Sequence, residues 1–248
     1  IVPIHVAILL SCVLLLGLFS QPSIASHDKV YEITILHTND FHARFRPISK
    51  YDNNCSQKNN AKGKCFGGTA RLISAVEDAR SRHSNTILLD GGDQFQGTLF
   101  YNLYKGKVAA EMMNKLGYDG MAVGNHEFDD GPENLRAFMD SVNFPVLMAN
   151  ANVDMEPELK GKLHKSTTLY RNNQKIGLIG VVTEEVVDIS APGDNIIFTD
   201  AVAAVQSEVD FLTEAGVNKI ILLSHSSYEI DKMIAANTTG VDVIVGGH

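Results

Sequence analysis

The sequence predicts an α/β fold. Short runs rich in Ile, Val and Leu alternate with longer amphipathic stretches along most of the chain, no internal repeat interrupts them, and nearly every apolar run ends in Asp, His or Asn. The composition agrees: of 248 residues, 44% are hydrophobic and 20% charged, the proportions of a globular protein with one large domain or two small ones. Lys plus Arg number 21 against 29 Asp plus Glu, a formal net charge of −8, which argues against a nucleic-acid polymer or an anionic membrane surface as partner. A phosphate-bearing ligand would need a metal or a local cluster of positive charge to overcome that balance.

The first element is a leader. From Ile1 to Phe19 the chain carries no Lys, Arg, Asp or Glu, and Ser23 and Ala25 then fall at small-residue positions of an A-x-A-like site, so residues 1–25 read as a signal peptide cleaved near Ala25. About 20 apolar residues can also span a bilayer, and an uncleaved anchor is the alternative. Cleavage removes Cys12 and leaves Cys55 and Cys65, an even count in an oxidising compartment, so a local disulfide is expected. Asn54-Cys55-Ser56 and Asn237-Thr238-Thr239 fit the N-glycosylation sequon, making Asn54 and Asn237 glycosylation candidates on the secretory route.

From residue 26 onward the apolar runs at 31–36, 86–89, 120–123, 145–148, 176–182, 219–223 and 241–245 are predicted strands. Between them, Thr69–Arg82 puts Leu72, Ile73, Val76 and Ala79 on one stripe, and 201–215 does so with Val202, Val205, Val209 and Leu212, so each is a helix covering a sheet face. Met112 and Met113 read as core. The remainder, about 220 residues, is enough for one sizeable buried core.

The polar residues at the strand ends carry the chemistry. The first strand runs into Thr38-Asn39-Asp40-Phe41-His42; if the extended conformation continues, its period of two puts Asp40 and His42 on one face, where they can share a cation. The second ends in Asp90-Gly91-Gly92-Asp93-Gln94, whose glycines let the backbone turn and bring Asp93 close to a ligand. The third ends in Gly124-Asn125-His126-Glu127-Phe128-Asp129. This is not a zincin helix, because the position four beyond His126 is Asp130. The sixth ends in Ser224-His225 and the last in Gly246-Gly247-His248. Ligand sites of open α/β sheets gather at such carboxyl ends. No phosphate loop of the Walker type is present, since Gly63-Lys64 is followed by Cys65 and Gly106-Lys107 by Val108.

In order and spacing, these motifs resemble the signature of the calcineurin-like metallophosphoesterases. With Ile35 to Asp40, Gly67-Gly68-x-Ala70-Arg71-Leu72 and Asp93-Gln94-x-Gln96-Gly97-Thr98, the chain is more closely similar to the 5'-nucleotidase and apyrase family, from about Val30 to His248. The resemblance implies an αββα sandwich with two divalent metal ions, zinc foremost and manganese, cobalt, calcium or magnesium as alternatives. It implies that Asp40 and His42 hold the first metal, that Asp93 bridges both, and that Asn125, His225 and His248 complete the second. His126 and Asp129 match the family's catalytic dyad, with Asp129 fixing the ring's tautomer. Glu127 is expected to be structural. Arg44 could reach phosphate oxygens or be a solvated surface arginine.

The expected activity is metal-dependent removal of phosphate from extracellular nucleotides such as AMP, ADP or ATP, at the cell surface or in secretions. A UDP-sugar hydrolase, a cyclic-nucleotide phosphodiesterase and a silent nucleotide-binding protein share the motifs and stay open. In the family a further ligand of the first metal lies two positions beyond Gly-Gly-His. Residues 26–248 are therefore expected to be a metallophosphoesterase domain truncated at its C-terminal end, without the family's C-terminal nucleotide-binding domain or any lipid anchor encoded there, through which alone membrane contact is expected.

Overall fold

The computed structural model describes residues 30–248, so the predicted leader at 1–25, with Cys12, lies outside the described residues. Four strands, β1 (Thr34–Thr38), β2 (Thr86–Asp90), β3 (Gly120–Ala122) and β4 (Val146–Leu147), form an all-parallel sheet in the order β1-β2-β3-β4. After a short strand β5 (Ala151–Asn152) come β6 (Ser166–Arg171) and β7 (Gln174–Val182), then β8 (Ile197–Phe198), which pairs antiparallel with β5. With β9 (Ile220–His225) and β10 (Val243–Gly246), β6 and β7 build a second sheet ordered β10-β9-β7-β6, parallel except for β6.

The two sheets pack face to face. A side chain at Gly120 on β3 would lie 2.7 Å from Leu178 Cδ1 on β7, and Ala149 N–H donates to the Gly180 carbonyl at 2.7 Å. Strands buried on both faces must be apolar throughout, which is why β2 and most of β7 read as unbroken hydrophobic runs.

Helices cover the outer faces. After the single turn α1 (Gln57–Ala61) come α2 (Thr69–Arg82), α3 (Leu99–Tyr104), α4 (Lys107–Leu116) and α5 (Gly131–Met139); Val76, Met112, Met113, Leu135 and Phe138 pack against Leu88 and Met121 of the first sheet. Met112 and Met113 are core, as read from the sequence. Beyond the short α6 (Val186–Ile189), α7 (Ala201–Glu214) sets Val205, Val209 and Leu212 on Ile179, Val181 and Leu222 of the second sheet, and α8 (Tyr228–Asn237) adds Ile234. Each such side chain contributes roughly 1.5–3 kcal/mol by leaving water. Residues 33–248 are thus the predicted αββα sandwich. No helix among the described residues is long and apolar enough to cross a membrane.

Four strands correct the sequence reading: β1 in where it starts, and β5, β6 and β8 in existing at all. β1 starts at Thr34 and not at 31: its partner β2 starts at Thr86, and the register begins by pairing those two residues. The strand β6 was not predicted. Its Ser-Thr-Thr-Leu-Tyr-Arg lacks an apolar run because it is an edge strand. It joins β7 through Asn172-Asn173, both at positive φ (47° and 62°), as a two-residue hairpin requires. Cys55 and Cys65 form the expected disulfide, with Cα atoms 5.8 Å apart, next to α1.

Candidate active site

All the strand-end residues named from the sequence come from one end of the two sheets, because parallel strands point their carboxyl ends the same way. Asp93 is the centre. It is almost wholly buried, and its Oδ2 lies 3.7 Å from His42 Nε2, 4.0 Å from His126 Nε2 and 3.2 Å from His225 Nε2. Its other oxygen, Oδ1, accepts the His126 backbone N–H at 2.9 Å. Asn125 Oδ1 lies 3.1 Å from His225 Nε2. Asp40 Oδ1 lies 3.8 Å from His42 Nε2, and Asp40 Oδ2 accepts the His248 N–H at 3.1 Å. The ring of His248 stands 5.1 Å from that of His225.

Three imidazoles have their tautomers fixed from behind. A carbonyl can only accept, so Nδ1–H of His225 donates to Gly91 O at 2.7 Å and Nδ1–H of His42 donates to Phe95 O at 3.1 Å. His126 donates Nδ1–H to Asp129 Oδ2 at 2.7 Å, and Ser190 Oγ donates to Asp129 Oδ1 at 2.9 Å. In their neutral form all three rings therefore turn a bare Nε2 toward the Asp93 carboxylate, so that acceptor faces acceptor. Only a proton or a cation relieves that arrangement. Burial alone would lower the pKa of His225, yet the hydrogen bond and charge of Asp93, with Glu127 and the Gly91 carbonyl, outweigh it and push the value up to about 9. Burial likewise opposes ionisation of Asp93, but His225 and His126 hold its pKa below the usual carboxylate value.

The donor set fits divalent metal. Two groups, His42-Asp93-His126 and Asp93-His225-His248, each bring ligand atoms within 4.8 Å of one another and share Asp93. Imidazole nitrogen mixed with carboxylate oxygen suits zinc and manganese, and orienting hydrogen bonds on the far ring nitrogen are the usual support of a metal-bound histidine.

The turn holding Asp40 and His42 is not the extended segment expected from the sequence. β1 ends at Thr38, and Asp40, His42 and Ala43 all adopt left-handed backbone, φ 50°, 48° and 50°. The pair meets because the chain coils back against the loop after β2, with Asp40 N–H donating to Gly92 O at 2.9 Å and His42 N–H to Asp93 O at 3.0 Å. Gly92, at φ 97°, has no room for a side chain: a Cβ there would lie 2.8 Å from both Gly124 N and His225 Nδ1.

Two buried carboxylates hold the loops in place. Glu127, expected to be structural, is fully buried and accepts four backbone N–H groups: Gly124 at 2.7 Å, Asp93 at 2.9 Å, Gln94 at 2.9 Å and Phe95 at 3.2 Å. Burial first, and the Asp93 charge second, push its pKa up to about 7. The sequence reading missed the role of Asp90, which accepts from Thr38 Oγ1, Gly92 N and Gln94 Nε2 and whose pKa burial raises to about 8. It also missed Ser190, 61 residues away from Asp129. Asn54 and Asn237 are exposed, and Arg44 forms an ion pair with Asp52 at 2.8 Å.

An αββα sandwich that gathers imidazoles and carboxylates around one shared aspartate at its strand ends has the build of a metallophosphoesterase. The chain belongs to the calcineurin-like phosphoesterase family, which it matches over residues 33–248. It is 46% identical over 225 residues to a 5'-nucleotidase of Diplobatis ommata, covering 88% of this chain and 37% of that protein. It is 43% identical over 238 residues to a 5'-nucleotidase of Rattus norvegicus, covering 95% of this chain and 41% of that protein. The chain thus spans about two fifths of the length of these curated relatives. Among solved structures, the 5'-nucleotidase precursor from Thermus thermophilus superposes with a TM-score of 0.79 at 37% identity, over 87% of this chain and 41% of the other. The NAD nucleotidase of Haemophilus influenzae gives 0.75 at 32%, over 86% and 38%.

Proposed function

We propose that this domain performs metal-dependent hydrolysis of phosphate from extracellular nucleotides, in the manner of a 5'-nucleotidase or apyrase. The observation that carries the reading is the single buried Asp93 oxygen on which His42, His126 and His225 converge with their Nε2 atoms. Similarity to 5'-nucleotidases over nearly the whole described chain supports the substrate class. We assign Asp40, His42 and Asp93 to one divalent cation and Asp93, Asn125, His225 and His248 to a second, with zinc as the first expectation.

When bound, such cations supply Lewis acidity to a phosphoryl group and lower the pKa of water. The chain's own residues do the rest. His126, backed by Asp129 and through it by Ser190, presents Nε2 at the mouth of the cluster; with a proton on Nε2 as well as Nδ1, the ring donates a hydrogen bond to a phosphoryl oxygen as charge builds there and gives up the Nε2 proton to the departing oxygen, returning to the Nδ1–H tautomer. Gly91 O and Phe95 O keep the His225 and His42 rings aimed at the site. Glu127 fixes the distance between the loop that carries Asp93 and the loop that carries Asn125 and His126.

The same reading takes residues 1–25 as a signal peptide and 26–248 as the metallophosphoesterase domain of a secreted or surface protein, glycosylated at Asn54 and Asn237. The Cys55–Cys65 disulfide and the exposure of both asparagines are compatible with that route. Phosphate release from AMP, ADP, ATP, UDP-glucose and a cyclic nucleotide, with and without chelator, tests the function. No chelator-sensitive release from any of them would sink it.

A further inference from the structure

Asp40 also forms part of the wall of a neighbouring cavity of about 490 Å³, and Arg44, Arg46 and Arg71 line it. Three arginines in one hollow run against the chain's excess of acidic residues, and Asp40 supplies the one carboxylate of that wall. The grouping is built by the backbone. Gly68, at φ 86°, lets the segment before α2 lie against Arg46-Pro47 so closely that a Cβ there would be 2.8 Å from Pro47 N. That contact brings Arg46 and Arg71 into the same wall.

Each guanidinium has donors to spare. Arg71 gives one terminal nitrogen to Gly67 O at 3.0 Å and the other to Asn60 Oδ1 at 2.7 Å, out of a fork of five N–H groups. Arg44 gives one nitrogen to Asp52, whose side chain is 60% exposed, and such a surface pair holds its partner weakly. Arg46 lies 5.5 Å over the Phe100 ring and forms no ion pair among the described residues. The first turn of α2, which opens on the same cavity, carries no acidic residue, so the positive end of its dipole adds to the field.

We infer that this cavity is a subsite for a phosphate-type oxyanion next to the metal-binding cluster. Guanidinium forks match the oxygens of such an anion in pairs, and a cation held by Asp40 cancels the one repulsive charge in the wall. The occupant is the second phosphoryl group of a nucleotide whose first lies at the Asp93 cluster, or free inorganic phosphate. The inference rests on the nucleotidase reading above.

The test uses the full chain loaded with divalent metal, comparing parent protein with Arg46→Glu and Arg46→Lys, since Arg46 is exposed and its ring contact is peripheral to the core. Melting curves check the fold. If the substrate's second phosphoryl group occupies the subsite, Arg46→Glu lowers the ratio of kcat/KM for ADP to that for AMP about tenfold, the scale of one charge-assisted interaction, and Arg46→Lys restores part of it. If free phosphate occupies it, that ratio holds and the inhibition constant of inorganic phosphate against AMP rises about tenfold. Neither quantity moving while AMP is still hydrolysed overturns the inference and leaves the nucleotidase reading intact. A parent protein that hydrolyses no nucleotide defeats that reading instead. Equilibrium dialysis of radiolabelled phosphate against parent and Arg46→Glu then decides the subsite, and equal binding overturns it.

Discussion

Replacing Glu127 with Gln is expected to loosen the metal site without unfolding the domain. The carboxylate accepts the N–H groups of Asp93 and Gly124 at Oε2 and those of Gln94 and Phe95 at Oε1. Gln keeps one oxygen, and its amide nitrogen then faces two N–H donors from which it can accept nothing. Two bonds to a charged acceptor are lost, at roughly 1.5–3 kcal/mol each, or roughly 3–6 kcal/mol together. Part of this returns because a buried charge disappears, one whose pKa burial has already pushed up to about 7. A net cost of about 2–4 kcal/mol is below the 5–15 kcal/mol typical of a whole domain, so Glu127→Gln folds. The loop that places Asp93 opens more often, and since every 1.4 kcal/mol is a factor of ten, metal affinity falls at least about tenfold. Calorimetric titration of zinc or manganese into the chelator-stripped protein reads this directly, beside a melting curve. Affinity and turnover within about twofold of the parent would refute the reasoning that Glu127 holds the two ligand loops together.

Other substitutions separate binding from chemistry. His126→Ala should retain metal while losing roughly 10²–10⁴ in kcat, as expected for a proton-handling group; loss of the metal instead would place His126 among the ligands. Ser190→Ala, which frees one oxygen of Asp129, should lower kcat by up to about tenfold with KM for AMP little changed, and an unchanged kcat would show that Asp129 needs no such support. Gly92→Ala should fail to bind metal tightly, because its Cβ meets Gly124 N and His225 Nδ1 and its backbone sits at φ 97°; normal affinity by titration would contradict the close packing of these loops. Replacing Cys55 and Cys65 together by Ser should cost about 3 kcal/mol, seen as a lower melting temperature with AMP turnover retained below it.

Much of the candidate site was legible because its residue types are rare in combination. Asp40, His42, Asp93, Asn125, His126, His225 and His248 each follow an apolar run, and a strand end can be read from a few consecutive residues. The supports were legible only in part. Glu127 was expected to be structural, but which N–H groups it holds could not be read, and Asp90 looks like an ordinary turn acid until its burial and partners are known. Ser190 had no signal at all, since the hydroxyl that orients Asp129 arrives from a segment with no motif. The D-x-H pair was read correctly as adjacent and for a mistaken reason, the left-handed turn having replaced the strand period. Edge strand β6 escaped because period-two alternation vanishes when neither face of a strand is fully buried.

The buried strands and the long helices, the two cysteines that pair, and the side chains that stand at the strand ends are written locally in the chain, because hydrophobic period and residue chemistry are local properties. Whatever depends on distant segments meeting came from the tertiary fold. It placed His248 against Asp40, 208 residues away, and His225 against Gly91, 134 residues away. Those contacts follow from the register of two sheets packed face to face. Other contacts between separate segments choose the tautomers of His42 and His225, bury the carboxylates that hold the loops, and bring three arginines to one cavity beside Asp40. Burial and hydrogen-bond partners set those properties, and no spacing along the chain records them.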